Sequence, residues 1–223
     1  MKYKVVIRRY KDGRINFDTF EVEANPSESV LDVVERISIE KDKTLVFEHA
    51  CHHGVCGACG MVINGVERLA CITRIGDVAR NGVVVLEPLR GFKVISDLAV
   101  DKSRMFGRYR LVAPSTLEKL ELRLNNAVSI PREKLYDCLE CGICYSACPI
   151  ANTFPEYLGP SLLALISRSG NERVPRVVDS RRGVWGCHAA FECSVRCPVN
   201  FKPGESILKL RRNIISGRVR VEG

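Results

Sequence analysis

The chain of 223 residues contains no apolar run near the roughly 20 residues that a membrane-crossing helix needs. Its longest candidates, around Gly82–Leu86 and Leu162–Ile166, are far too short. The start, Met1-Lys2-Tyr3-Lys4-Val5, has neither the apolar core nor the cleavage site of a secretory signal. A soluble chain that is not exported by that route is therefore expected. There is a single tryptophan, aromatics are only 7%, and neither Gly-x-Gly-x-x-Gly nor a P-loop occurs. A nucleotide or flavin site of its own is thus not expected, nor is a substrate site. Basic stretches at Lys2–Arg14, Arg168–Arg182 and Lys202–Arg220 give a net charge of +8. Without interleaved aromatics they read as solvated faces and docking surfaces, not as a nucleic-acid interface. The basic C-terminal helix reads as a contact face for a partner or for anionic headgroups.

What the chain has in excess is cysteine: eleven residues, an odd number, in three tight clusters. Secreted disulfide scaffolds are usually shorter and even in count, whereas clustered cysteines in a reducing compartment read as metal ligands.

Residues 1–100 carry strand signals and one helix. Tyr3–Arg9 and Asn16–Glu23 alternate apolar with polar around the turn Lys11-Asp12-Gly13, the pattern of a hairpin. Val30, Val33, Val34 and Ile37 recur with helical spacing behind the capping pair Ser29 and Asp32. Met61–Ile63 and Val66–Cys71 flank Asn64-Gly65 as a second hairpin. Gly82–Glu87 reads as a last strand, and a helix across a small mixed sheet is the economical packing. Residues 88–114 read as a linker. From 101 to 223 the signals are helical: a capping pair at Ser115 and Glu118, Pro131 in a first turn, and two helices entered by Pro160 and Pro203 and closed by Gly170 and Gly217. No strand signal of weight follows Pro114. The expected fold is α+β: a domain at 1–100 with four cysteines, then an all-α domain at 101–223 with seven.

Cys51-x4-Cys56-x2-Cys59, with Cys71 eleven residues further on, has the plant-type [2Fe–2S] spacing. Gly54, Gly57 and Gly60 suit a loop that wraps a cluster with its backbone amides. Structural zinc sites use paired C-x2-C knuckles instead. Four thiolates already complete this cluster, so His49, His52 and His53 are read as solvent-facing or interface histidines.

Cys138-x2-Cys141-x2-Cys144-x3-Cys148-Pro149 has the bacterial ferredoxin spacing, in which the fourth cysteine ligates the other cluster of a pair. The proline is expected to stop a helix bearing Cys144 and Cys148. A related run follows, Cys187-x2-Ala190-x2-Cys193-x3-Cys197-Pro198, with alanine where the second ligand belongs. Exchanging the fourth cysteines assigns Cys138, Cys141, Cys144 and Cys197 to a [4Fe–4S] cluster. It leaves Cys148, Cys187 and Cys193, three thiolates that suit [3Fe–4S]. The alternative is a cube whose fourth iron takes water or another ligand. All eleven cysteines are thereby used, and three clusters in one chain describe an electron relay.

In this order the motifs resemble the iron–sulfur subunit of the succinate dehydrogenase/fumarate reductase family (respiratory complex II). The resemblance rests on Cys51-His-His-Gly-Val-Cys56-Gly-Ala-Cys59-Gly60, Ile95-Ser96-Asp97-Leu98-Ala99-Val100-Asp101 and Gly183-Val184-Trp185-Gly186-Cys187. It implies a β-grasp, plant-type ferredoxin-like first domain and a two-cluster ferredoxin-like second one. It also implies an FAD-containing flavoprotein partner, membrane-anchor subunits and a quinone, with the chain held peripherally on the cytoplasmic side of the cell membrane. Pro149 and His188 correspond to positions beside the quinone, although a surface histidine at an interface fits His188 equally. Family dehydrogenases place tryptophans soon after that proline. Here Ile150-Ala151-Asn152-Thr153 follows, and Phe154–Pro160 looks more like the fumarate-reductase branch. Trp185 is expected in the core near the third cluster. The alternative function is the electron-transfer subunit of another flavin-dependent oxidoreductase built on the same module.

Overall fold

A computed structural model describes residues 1–11, 13–109, 111 and 138–222. Asp12 of the first turn, the Ser115/Glu118 pair and Pro131 lie outside the described residues. The chain forms two compact units, Met1–Asp101 with Cys141–Ile143, and Lys102–Glu140 with Cys144–Gly223.

In the first unit, β1 (Lys2–Lys11) and β2 (Arg14–Glu23) form the expected hairpin, with Val5 opposite Phe20 and Tyr10 opposite Ile15. Alternate residues of β1 face inward, Tyr3, Val5, Ile7 and then Arg9, as a strand with one buried face requires. β3 (Gly60–Ile63) and β4 (Val66–Leu69) turn at Asn64-Gly65, and β5 is Val83–Glu87. The five strands make one sheet in the order β2-β1-β5-β3-β4, with β1 and β5 parallel and the other pairs antiparallel.

Helix α1 (Val30–Glu40) buries Val30, Leu31, Val33, Val34 and Ile37, and α2 (Ile75–Val78) is a single turn between β4 and β5. Its start is a complete capping box. The Asp32 amide donates to Ser29 Oγ at 3.1 Å, and the Ser29 amide donates to Asp32 Oδ2 at 3.0 Å. The box satisfies two otherwise unpaired groups at the helix start. Replacing Ser29 by alanine should therefore cost about 1 kcal/mol, measurable as a lowered urea midpoint of the cluster-loaded chain with its slope unchanged.

The linker expected at 88–114 is corrected for its described part. β6 (Lys93–Ser96) and β7 (Ala99–Asp101) form an antiparallel hairpin, and α3 (Ser103–Tyr109) follows. The reason is Asp97, in the turn between the two strands. Its carboxylate accepts from the Tyr10 amide at 3.0 Å and the Val46 amide at 2.9 Å, which fastens the hairpin to the first unit.

After α4 (Ile143–Ser146), whose first residue is assigned to the first unit, the second unit contains α5 (Pro149–Thr153), α6 (Pro160–Arg168), α7 (Glu192–Val195) and α8 (Pro203–Ile215), joined by loops. Pro160 and Pro203 are first-turn residues as expected, where the missing N–H costs nothing. Leu162, Leu163 and Ile166 share one core with Ile207, Leu210, Tyr157 and Val184. The all-α expectation is corrected by β8 (Arg173–Pro175) and β9 (Arg220–Glu222), a short parallel pair. Three residues per strand are too few to show a period in sequence. Pro149 also acts differently from expectation, because it opens α5 with Cys148 as the residue capping it. Only Cys144 of the two lies in α4.

Candidate metal centres

The loop between α1 and β3 carries the first run. His52, Gly54 and Gly57 have φ of 59°, 72° and 73°, which curl the backbone so that amides converge. A side chain at Gly54 would be strained by that φ, and its Cβ would lie 2.9 Å from Ile72 Cγ2. Cys51 Sγ accepts from the amides of His53 (3.4 Å), Val55 (3.4 Å) and Cys56 (3.3 Å). Those donors, His53 first, bring the Cys51 thiol down to about 6, so it is largely thiolate near neutral pH.

Cys59 is buried at the other side of the loop, and Cys71 sits on the 3-10 turn Ala70–Ile72. Their sulfurs are 3.2 Å apart, and the Cys71 amide points at Cys59 Sγ at 3.5 Å. Burial, with Cys71 beside it, pushes the Cys59 thiol up to about 12. A thiolate in such a place needs a cation next to it. A donor set of one amide-stabilised sulfur, a buried Cys59 and a half-buried Cys71 close beside it fits iron bound by four thiolates. Cys56 is exposed, as are His49, His52 and His53.

The seven remaining cysteines lie on the pieces around α4, α5 and α7. Cys138 and Cys141 lie in the irregular stretch before α4 and Cys144 is buried on it. Cys197 follows α7, its sulfur accepting from the Phe201 amide at 3.3 Å. None of the eleven cysteines is in a disulfide.

Cys148, Cys187 and Cys193 line one hollow, together with Ala190 and His188, and Tyr157 is fully buried against it. Amides again address the sulfurs, Ala151 to Cys148 and Ala189 to Cys187, both at 3.5 Å. The Cys193 thiol is pushed up to about 12, by burial first and then by the neighbouring charges of Cys148 and Cys187. Burial likewise raises the Cys148 thiol. Three sulfurs in one apolar hollow, two of them held protonated by burial, suit a cationic iron core that would draw off their protons, and alanine supplies no fourth sulfur.

Arg211 of α8 holds the wall of this hollow. Its Nη2 donates to the carbonyls of Val184 (2.5 Å) and Cys187 (2.7 Å), and its guanidinium lies 5.1 Å from the Trp185 ring centre. Sequence reasoning passed over Arg211, because a basic residue on a basic helix carries no distinguishing signal. Trp185 is not in the core as expected. It is 42% exposed, with its indole N–H bonded to Asp179 at 2.6 Å, and Val184 is buried in its stead.

Fold and donor sets together define an iron–sulfur protein of two units, one small mixed sheet with a cysteine loop and one helical unit with two ferredoxin-type runs. Residues 4–107 match the family model described as a 2Fe-2S iron-sulfur cluster binding domain, and residues 134–201 match the 4Fe-4S dicluster domain. The chain is 34% identical over 222 residues to a fumarate reductase iron-sulfur subunit of Mycobacterium tuberculosis, covering 92% of this chain and 90% of that one. It is 31% identical over 208 residues to a succinate dehydrogenase iron-sulfur subunit of Coxiella burnetii, covering 87% of each. Its fold matches a chain of the Mycobacterium smegmatis Sdh1 complex in the apo form with a TM-score of 0.81, at 24% identity and 96% coverage of both. The chain belongs to the iron–sulfur subunits of the succinate dehydrogenase/fumarate reductase family, and its role is electron transfer within that oxidoreductase complex. No helix among the described residues is long and apolar enough to cross a membrane.

Proposed function

We propose that this chain relays electrons between the FAD of a flavoprotein subunit and a membrane quinone at anchor subunits. The clusters, when bound, supply the one-electron stations, since a series of short hops replaces one long transfer. We read residues 1–100 as a β-grasp [2Fe–2S] domain and 101–223 as the domain of the other two clusters. Cys51 with Cys56 and Cys59 with Cys71 form the two thiolate pairs of [2Fe–2S]. Cys138, Cys141, Cys144 and Cys197 hold [4Fe–4S], and Cys148, Cys187 and Cys193 hold [3Fe–4S].

The observation that carries this reading is the hollow with three sulfurs and Ala190. Pro149 and His188 line the same hollow, which supports placing the quinone side there. Location on the cytoplasmic face of the membrane, through the partner subunits, completes the proposal.

The test is electron paramagnetic resonance on the anaerobically isolated chain, oxidised and dithionite-reduced, with iron and sulfide counted. A three-iron signal when oxidised, two further signals on reduction and about nine irons per chain are expected. Zinc in place of iron, or a single cluster, would overturn the reading.

A further inference from the structure

Glu35, His49 and His52 are not used by the relay, yet their ligating atoms meet at one point. His49 Nδ1 is 3.0 Å from Glu35 Oε1, and His52 Nε2 is 3.3 Å from the same oxygen. The two nitrogens are 3.1 Å apart. The three atoms thus form a nearly equilateral triangle, close enough together to share one metal ion.

Protons do not account for all three contacts. If both nitrogens carry hydrogen, both N–H groups aim at one carboxylate oxygen and their positive ends confront each other across 3.1 Å. If one nitrogen is bare, it accepts from the other N–H, and its lone pair then also faces the ionised carboxylate oxygen. A single cation bound by all three atoms resolves every pair at once. Metal–ligand bonds of about 2.0–2.1 Å at tetrahedral angles place ligand atoms about 3.3 Å apart, close to the observed 3.0–3.3 Å. Two imidazoles and one carboxylate with an open fourth position is a set that zinc uses.

The supports are already in place. Glu35 projects from α1, and the His49 ring is stacked on Phe47 with centroids 5.1 Å apart. The side chains are 25%, 40% and 38% exposed for Glu35, His49 and His52, so an ion enters from solvent.

We propose that Glu35, His49 and His52 form a binding site for a divalent zinc-class cation, with water as the fourth ligand. The ion would tie α1 to the loop that begins the first cysteine run, because His49 and His52 bracket Cys51. This site is distinct from the thiolate clusters and does not rest on the relay reading.

The test is zinc titration of the cluster-loaded full-length chain under anaerobic conditions, with iron, sulfide and zinc counted together. One zinc per chain is expected in addition to the full iron content. The zinc absorption edge of the unaltered chain should report nitrogen and oxygen neighbours, imidazole scattering and no sulfur. Glu35→Gln and His49→Gln should each weaken zinc by more than about tenfold, since losing a ligand costs more than losing a supporting partner. Their iron and sulfide contents should stay at the unaltered level. No zinc uptake, a sulfur-containing shell, zinc uptake matched by iron release, or unaltered zinc affinity in both variants would each overturn the proposal. The shell measurement needs no variant, so a variant that folds poorly does not shelter it.

Discussion

Ala190→Cys should raise the iron content by about one per chain and replace the oxidised three-iron signal by a four-iron cluster visible on reduction. Ala190 lines the same hollow as Cys148, Cys187 and Cys193, and it stands three residues from both Cys187 and Cys193, the spacing of a second ligand. A fourth thiolate completes the coordination of a cube and adds negative charge beside it. Both changes lower the potential of the third cluster, since cluster type and net charge set that quantity. Electron transfer through the assembled complex should fall, while the other cluster signals stay as they were. An unchanged three-iron signal with unchanged iron content would sink the assignment of the three ligands.

Arg9→Met should destabilise the protein by about 3 kcal/mol, because removing one partner of a buried ion pair strands the other. For a chain of this size that is a drop of roughly 10 °C in unfolding temperature, read at a fixed scan rate on the cluster-loaded chain. The Arg9 side chain is only 6% exposed and faces three carboxylates. Its Nη1 pairs with Asp18 at 2.9 Å and with Asp42, and its Nε lies 3.0 Å from Asp97. The Asp97 side chain is 1% exposed, so without arginine its charge keeps two amide donors but no counter-ion. Arg9→Lys should recover only part of the loss, as a point charge does not reach three acceptors in different directions. A loss below about 1 kcal/mol would show that Asp97 is held by its amides alone.

Much of the first unit was readable because its signals are local. The β1–β2 hairpin, the helix behind Ser29 and the Asn64-Gly65 turn each depend on residues a few positions apart. Arg9 and Asp97 were not readable in this way. Arg9 looks like one more cation in a basic strand, and Asp97 like part of a linker, until β1 and the β6–β7 turn come together. The same holds for Trp185, whose aromatic character suggested the core. Its N–H has a carboxylate to bond and its ring a guanidinium to cover it, which makes exposure cheap.

The metal chemistry shows the same division. Cysteine spacing alone pointed to a 2Fe-2S domain and a 4Fe-4S dicluster domain, which the family models match, because a ligand run is a property of neighbouring residues; the family entered as a resemblance, through the order of the runs and the motifs around them. Only the tertiary structure decided which sulfur is pre-ionised by three amides and which is burdened by burial, as with Cys51 and Cys59. It alone gathered Glu35 from a helix to His49 and His52 from a loop. Such groupings depend on distances through space between residues remote in the chain, and charge and solvation respond to those distances rather than to sequence separation.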